Sequence, residues 1–475
     1  MKVLFASSEV YPFVKTGGLA DVSYSLPKEL KRNGVDIRVI LPKYKDIPNK
    51  YKNDIKYLKE FNVKVGWRNK KCIIEYLELE NVTYYFVNND YYFNRTGLYG
   101  FYDDGERFSF FNKAILEFVS LGNFNPDIIQ CNDWHTGMVP VLLKEHFKNL
   151  NIKTIFTIHN LKYQGIYPSN ILTELLNLGD DYYNVDKLEF YGGISFMKGG
   201  INFSDIVTTV SKSYSKEIQY SEFGENLHGI LSEKKDKLYG IVNGIDYDLY
   251  NPKKDKEIFF NYDIFTLNKK KENKIKLQET LNLEKDYEKP VIGMVTRLAH
   301  MKGLDLILEV LDDILKLDIQ LVILGTGDSY YESILRDYSN RYLDKLSVSL
   351  VFDNSLAKKI YAGSDLFLMP SLFEPCGLGQ MIALRYGTLP IVRETGGLKD
   401  TVKAYNEFTK EGNGFSFKQS NPLDMLYTIK RAIKFYHKKD IYNEIVKNAM
   451  NGNYSWKNSS KEYKKLYKKL IKNKL

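Results

Sequence analysis

Lys15-Thr16-Gly17-Gly18-Leu19-Ala20-Asp21 brings a cation, two glycines and a carboxylate together between a short apolar run and a helical pattern. Glycines let backbone N–H groups approach a ligand closely, a helix start favours negative charge, and Lys15 adds a full positive charge. The chemistry expected there is anion binding. A second cationic pair, Arg297 and Lys302, stands just ahead of Gly303 where a strand's carboxyl end meets a helix. Fixed cations in that position suit a diphosphate. In Phe373-Glu374-Pro375-Cys376-Gly377-Leu378-Gly379 a carboxylate precedes a helix start near Gln380. Glu374 can accept sugar hydroxyls while the amides that follow hold phosphate oxygens. Asp133-Trp134-His135 and Thr157-Ile158-His159-Asn160 fall at two further strand ends. Neither glycine-rich loop is a Walker A loop, and the G-x-G-x-x-G of dinucleotide enzymes occurs nowhere in the chain, which speaks against an oxidoreductase.

The elements that must position these groups follow a repeating pattern. Lys2 to Ser7 reads as a strand; Leu19, Val22, Leu26 and Leu30 recur at helical spacing; Asn33-Gly34 ends that helix; and Val35 to Leu41 is the next strand. Asp127–Gln130, Lys153–His159 and Ile206–Val210 continue the alternation, which predicts a parallel, doubly wound sheet. Residues 252–289 lapse into a Lys- and Glu-rich stretch that reads as a solvated connection with one helix. A second series then runs through Val291–Leu298, Gln320–Leu324, Ser347–Phe352, Leu366–Pro370 and Leu389–Val392. The expected architecture is α/β, with two Rossmann-like doubly wound domains facing across a cleft: residues 1–244, residues 245–456 and a terminal amphipathic helix, 457–475. Ser459 and Glu462 read as that helix's capping box, and Tyr463, Leu466, Tyr467, Leu470 and Ile471 as its apolar stripe, packed on the protein's own surface.

A chain of 475 residues with 44% hydrophobic and 27% charged residues has the ordinary globular mix, which excludes a disordered or fibrous class. The net charge of +9 would suggest nucleic acid, but residues 456–475 carry seven of those charges and the remainder is nearly neutral. Nucleic-acid and membrane partners are therefore not expected. Three scattered cysteines predict a reducing compartment, and the short apolar run after Lys2 is no signal peptide, so the expected location is cytoplasmic.

Taken together, the K-T-G-G-L-A-D-V stretch at 15–22, N-D-W-H at 132–135, I-H-N at 158–160, V-N-G-I-D at 242–246, T-R-L at 296–298 with K-G at 302–303, and F-E-P-C-G-L at 373–378 resemble the bacterial and plant glycogen and starch synthases. The resemblance runs in order from Met1 to about Trp456. It implies the two-domain glycosyltransferase B (GT-B) fold, with the terminal helix crossing back onto the N-terminal domain. It also implies transfer of glucose from ADP-glucose to the non-reducing end of an α-1,4-glucan, with retention of configuration and with ADP as product.

The resemblance further assigns roles. Lys15, the Gly18 amide, Arg297, Lys302 and the Gly377, Leu378 and Gly379 amides would hold the diphosphate. His159, Glu374, Asp133 and Asn243 would surround the donor glucose as the catalytic set. Asp21 and Tyr99 would lie near the donor glucose or acceptor, and Phe352 would stack on adenine where relatives often carry tyrosine. Gly379 is a second departure, since relatives often carry a side chain there. Asp246-Tyr247-Asp248 spells the D-x-D of metal-dependent glycosyltransferases, but it falls in the V-N-G-I-D stretch and reads as turn-forming carboxylates; no metal and no other cofactor is expected. A sucrose-synthase-like transferase or a catalytically silent glucan-binding protein is the alternative. The Lys15 loop and the intact charged set favour the synthase.

Overall fold

The computed structural model describes residues 1–472. It divides into two compact units: unit 1 is Met1–Asn243 together with the terminal segment from Trp456, and unit 2 is Gly244–Ser455. The last three residues of the expected terminal helix, 473–475, lie outside the described residues.

Unit 1 is built on nine strands: β1 (Lys2–Ala6), β2 (Asp36–Pro42), β3 (Lys56–Val65), β4 (Arg68–Leu79), β5 (Val82–Asn88), β6 (Ile128–Asn132), β7 (Lys153–Ile158), and, after a small separate sheet of β8 (Ile166–Pro168), β9 (Glu189–Phe190) and β10 (Gly193–Ser195), β11 (Ile206–Thr209) and β12 (Leu238–Gly240). Their order is β12-β11-β7-β6-β1-β2-β5-β4-β3. Val3 to Ala6 are fully buried, as a central parallel strand covered on both faces requires. The chain order reverses between β1 and β6, and ligands of open α/β sheets bind at the carboxyl ends of strands at such a point. The sheet is not wholly parallel, which corrects the sequence expectation: β4 pairs antiparallel with both β3 and β5. These edge strands place Lys and Glu on their outer positions, so their apolar run is too interrupted to stand out.

The terminal helix Trp456–Lys472 belongs to unit 1 and packs against the helix Gly18–Arg32. Tyr463 and Tyr467 are fully buried, Leu466 and Leu470 nearly so, and Ile471 is half-buried. The Tyr467 hydroxyl donates to Gln130 Oε1, and Asn33 Nδ2 donates to Ser460 Oγ at 2.9 Å. The expected capping box is absent, because the helix begins three residues before Ser459, whose hydroxyl instead donates to the Val242 carbonyl at 2.5 Å.

Unit 2 holds a parallel six-stranded sheet of β13 (Val291–Val295), β14 (Gln320–Leu324), β15 (Leu346–Ser349), β16 (Leu366–Met369), β17 (Leu389–Arg393) and β18 (Phe415–Phe417) in the order β15-β14-β13-β16-β17-β18. Here the reversal falls between β13 and β16. The stretch 252–289 has its one helix, Asn268–Thr280, but is not simply solvated: Leu277 and Leu283 join Val291, Val322, Leu324 and Ile360 in the core. Its buried Lys270 donates to the Ala362 and Ser364 carbonyls at 2.8 and 2.9 Å, and Lys274 pairs with Asp365 at 2.9 Å. Among the described residues no helix is long and apolar enough to cross a membrane.

Candidate active site

In unit 1 Lys15, Gly18, Asp21, Asp133 and His159 follow β1, β6 and β7, Tyr99 reaches Ser8 after β1, and Asn243 follows β12. Gly17 caps the helix Gly18–Arg32 in extended backbone, so Gly18 opens the helix as expected. Lys15 pairs with Asp21 at 2.8 Å. Burial raises the Asp21 pKa, and Lys15 opposes that rise. The anion cradle, however, already holds a carboxylate of the protein. Glu9, which is buried, accepts from the Thr16 N–H at 2.5 Å and from the Thr16 hydroxyl at 2.9 Å. Burial raises its pKa, and hydrogen bonds from Thr16 and Gly17 pull it back. The sequence reading missed Glu9, since a single carboxylate after a strand carries no spacing that shows it folding over the next loop.

Asp133 follows β6 with φ +56, a conformation costly for a non-glycine residue and therefore held by its surroundings. Its own N–H donates to the Thr157 carbonyl at 2.9 Å, and its carboxylate accepts the His159 N–H at 2.7 Å. Burial pushes the Asp133 pKa up to about 7, against these backbone donors. The His159 ring contacts Asn132: Nε2 lies 2.9 Å from Asn132 Oδ1. Asn132 Nδ2 donates to the Ala6 carbonyl at 2.8 Å, which fixes the amide and makes Oδ1 the acceptor. The proton of His159 is thus on Nε2, and Nδ1 is left as the acceptor. Burial lowers the His159 pKa to about 3, so the ring is neutral. The Tyr99 hydroxyl lies 2.8 Å from Ser8 Oγ, and its ring packs on His135 at 4.4 Å. His135 is stacked on Trp134, and neither of its ring nitrogens has a partner. Asn243 is buried with Oδ1 unpartnered.

In unit 2 the predicted set straddles the reversal between β13 and β16. Arg297 follows β13 and is exposed, whereas Lys302 reaches Glu374 Oε2 at 2.6 Å. Glu374 also accepts from Ser371 Oγ at 3.1 Å. Gly303 at φ +74 lies close against the Pro370 carbonyl, where an added Cβ would sit only 2.2 Å from the oxygen. Gly377 also has positive φ, Leu378 precedes the helix Gly379–Arg385, and Gly379 opens it. A Cβ on Gly379 would lie 3.3 Å from Met369, Phe367 and Tyr361, so the packing here accommodates the smallest residue. The strand expected to end at Phe352 ends at Ser349, leaving Phe352 on a loop with 75% exposure. Asp246 Oδ1 accepts the Asp248 N–H at 2.7 Å and Asp248 pairs with Lys254 at 3.2 Å, so this D-x-D forms a turn.

Two Rossmann-like units, each with charged residues at the reversal of its strand order, define a glycosyltransferase of the GT-B class. Residues 2–233 match the family described as starch synthase catalytic domain, and residues 278–452 match glycosyl transferases group 1. Glycogen synthases of Desulforamulus reducens and Clostridium acetobutylicum are 56% and 55% identical, covering 100% and 99% of this chain and 99% and 100% of theirs. The catalytic domain of starch synthase IV from Arabidopsis thaliana, solved with ADP and acarbose, superposes with a TM-score of 0.93 at 34% identity, over 99% of each chain. The chain belongs to the glycogen and starch synthase family, and its function is glycogen or starch synthesis.

Proposed function

We propose that the protein is an ADP-glucose:1,4-α-D-glucan 4-α-glucosyltransferase that works with retention and without a metal ion. The observation that carries this reading is the Lys302–Glu374 pair beside exposed Arg297 at the sheet reversal of unit 2. Breaking the sugar–phosphate bond creates an oxocarbenium-like glucose and an anionic leaving group, so a site needs cations for the diphosphate and polar groups for the sugar. In unit 2, Arg297 and Lys302, with the amides of Gly377, Leu378 and Gly379, suit the diphosphate; in unit 1, Lys15 and the Gly18 amide offer the same kind of anion binding. Glu374 in unit 2, and Asp133, Asn243 and the Nδ1 face of His159 in unit 1, are suited to glucose hydroxyls, as are Asp21 and Tyr99 of unit 1, and exposed Phe352 offers its ring to adenine. With departure and attack on one face of the sugar, the acceptor 4-hydroxyl bonds to C1 as the C1–O bond to ADP breaks. The leaving oxygen is then the nearest base for the hydroxyl proton. The turn role of Asp246 and Asp248 supports a diphosphate neutralised by side chains. Cys72, Cys131 and Cys376 are buried, and three such scattered cysteines suit work in the cytoplasm.

Incubating the purified protein with glycogen and labelled ADP-glucose or UDP-glucose, with and without EDTA, tests this. Faster transfer from ADP-glucose, unchanged by EDTA, is expected. A UDP-glucose rate equal to or above it overturns the donor assignment, and loss in EDTA restored by manganese overturns metal independence.

A further inference from the structure

The segment that carries Tyr99 is irregular backbone, yet it is gripped on both sides of that residue by one helix, Asp104–Ser120. On the far side of Tyr99, Asp104 Oδ2 accepts the Gly100 N–H at 2.8 Å and the Phe101 N–H at 3.2 Å. On the near side, Arg107 Nη1 donates to the Leu98 carbonyl at 3.1 Å while its Nε donates to the Tyr92 carbonyl at 2.7 Å. The two gripping side chains also bond to each other, Arg107 Nη1 to Asp104 Oδ1. Arg107 is fully buried and lies over the Phe101 ring at 4.5 Å. A fully buried guanidinium is costly unless it is paired and hydrogen-bonded, so its partners define one loop conformation rather than several. The same helix sends Phe108 against the Tyr99 and His135 rings, at 6.0 and 4.8 Å.

We propose that Asp104 and Arg107 are positioning residues for the transfer reaction: they hold the Leu98–Phe101 loop so that the Tyr99 hydroxyl stays on Ser8 and its ring stays on His135, preset for the sugar. Neither residue needs to touch substrate. The inference rests on Tyr99 lying beside a substrate sugar, and its test separates the two claims. Holding a contact group in place matters because a group already set for its ligand pays no ordering cost when the ligand binds.

Asp104→Asn removes the carboxylate that accepts two amides, and Gly100→Ala strains the loop from the other direction. Gly100 has φ +91 with open space around it, so alanine there disturbs only the loop backbone. Both variants, Tyr99→Ala and the Asp104→Asn/Tyr99→Ala double variant are compared for melting, for kcat, and for KM toward ADP-glucose and toward glycogen. Whichever KM Tyr99→Ala raises, Asp104→Asn and Gly100→Ala should raise too, by about tenfold, with kcat changed less. The double variant should be no worse than Tyr99→Ala alone, because removing the ring removes what the clamp positions. Additive losses in the double variant, or wild-type kinetics in folded Asp104→Asn and Gly100→Ala beside an impaired Tyr99→Ala, overturn the proposal. If Tyr99→Ala itself behaves as wild type, the reading of Tyr99 fails. The clamp is then judged by amide exchange at Gly100 and Phe101, which must speed up in Asp104→Asn with the rest of the fold unchanged; unchanged exchange overturns it. Should Asp104→Asn fail to fold, Gly100→Ala alone decides the kinetic outcome.

Discussion

Both units put their charged residues where the strand order reverses, but they hold them by different means. In unit 1 the buried carboxylates of Glu9 and Asp133 take backbone N–H donors, with the Thr16 hydroxyl a further donor to Glu9. Those N–H donors are set by the backbone rather than by a rotatable side chain. In unit 2 the partnership is between side chains, Lys302 with Glu374, while Arg297 stays exposed. A lysine paired with a carboxylate can exchange that partner for a phosphate oxygen and release Glu374 to a sugar hydroxyl. Apart from the Lys15–Asp21 pair, unit 1 is thus preset largely by its backbone, whereas unit 2 carries charges that a ligand can re-pair.

The largest test of this contrast is in unit 2. Lys302→Ala and Arg297→Ala should fold normally and lose turnover by at least about a hundredfold, comparable with removing a donor to a developing anion. Glu374→Ala should likewise lose most turnover, while ADP affinity, measured by calorimetry, separates binding from the chemical step. Normal turnover in all three returns these residues to an ordinary solvated surface.

Asp133 sharpens the other side of the comparison. Its pKa stands near 7 against an ordinary 3.8, so between those values the folded protein keeps a proton that the unfolded chain has released. Stability therefore falls as pH rises through that window. Asp133→Asn should flatten this slope in denaturant melts and stand above the wild type beyond about pH 7, while turnover drops. An unchanged slope would mean that the carboxyl is not held as its burial implies. His159 gives a smaller, spectroscopic signal: its imidazole should show no titration between about pH 5 and 8, where an unperturbed histidine changes charge. The smallest expected effect is Tyr467→Phe, which removes one hydroxyl from Gln130 and should cost about 1 kcal/mol in a melt while leaving transfer intact.

The parts of this molecule that were readable in the sequence are those that repeat. The strands ending before Ser7, Asp133, His159 and Arg297 are short apolar runs bounded by turns, and each is followed by helical periodicity, so the groups at their ends could be placed without coordinates. Gly17 and Gly18 marked a loop-to-helix junction by composition alone. What escaped depended on tertiary contact. The pair β3 and β4 has a mixed surface that hides its period. Lys270 and Lys274 look solvated until their carbonyl and carboxylate partners from distant elements are known. Ser459 has the right type and spacing for a cap, but a carbonyl more than 200 residues away takes its hydroxyl. Glu9 is invisible for the same reason, since its role exists only once the Thr16 loop turns back over it.

The helix Trp456–Lys472 closes a surface of unit 1, although all of Gly244–Ser455 separates the two in the chain. A ribosome makes the N-terminal part first, and domains generally fold as they emerge. Unit 1 cannot finish that way. Gln130 and the flank of the helix Gly18–Arg32 stay uncovered while the whole of unit 2 is synthesised, so unit 1 remains an unfinished folding unit, with apolar surface open to wrong partners, until after its neighbour has been made.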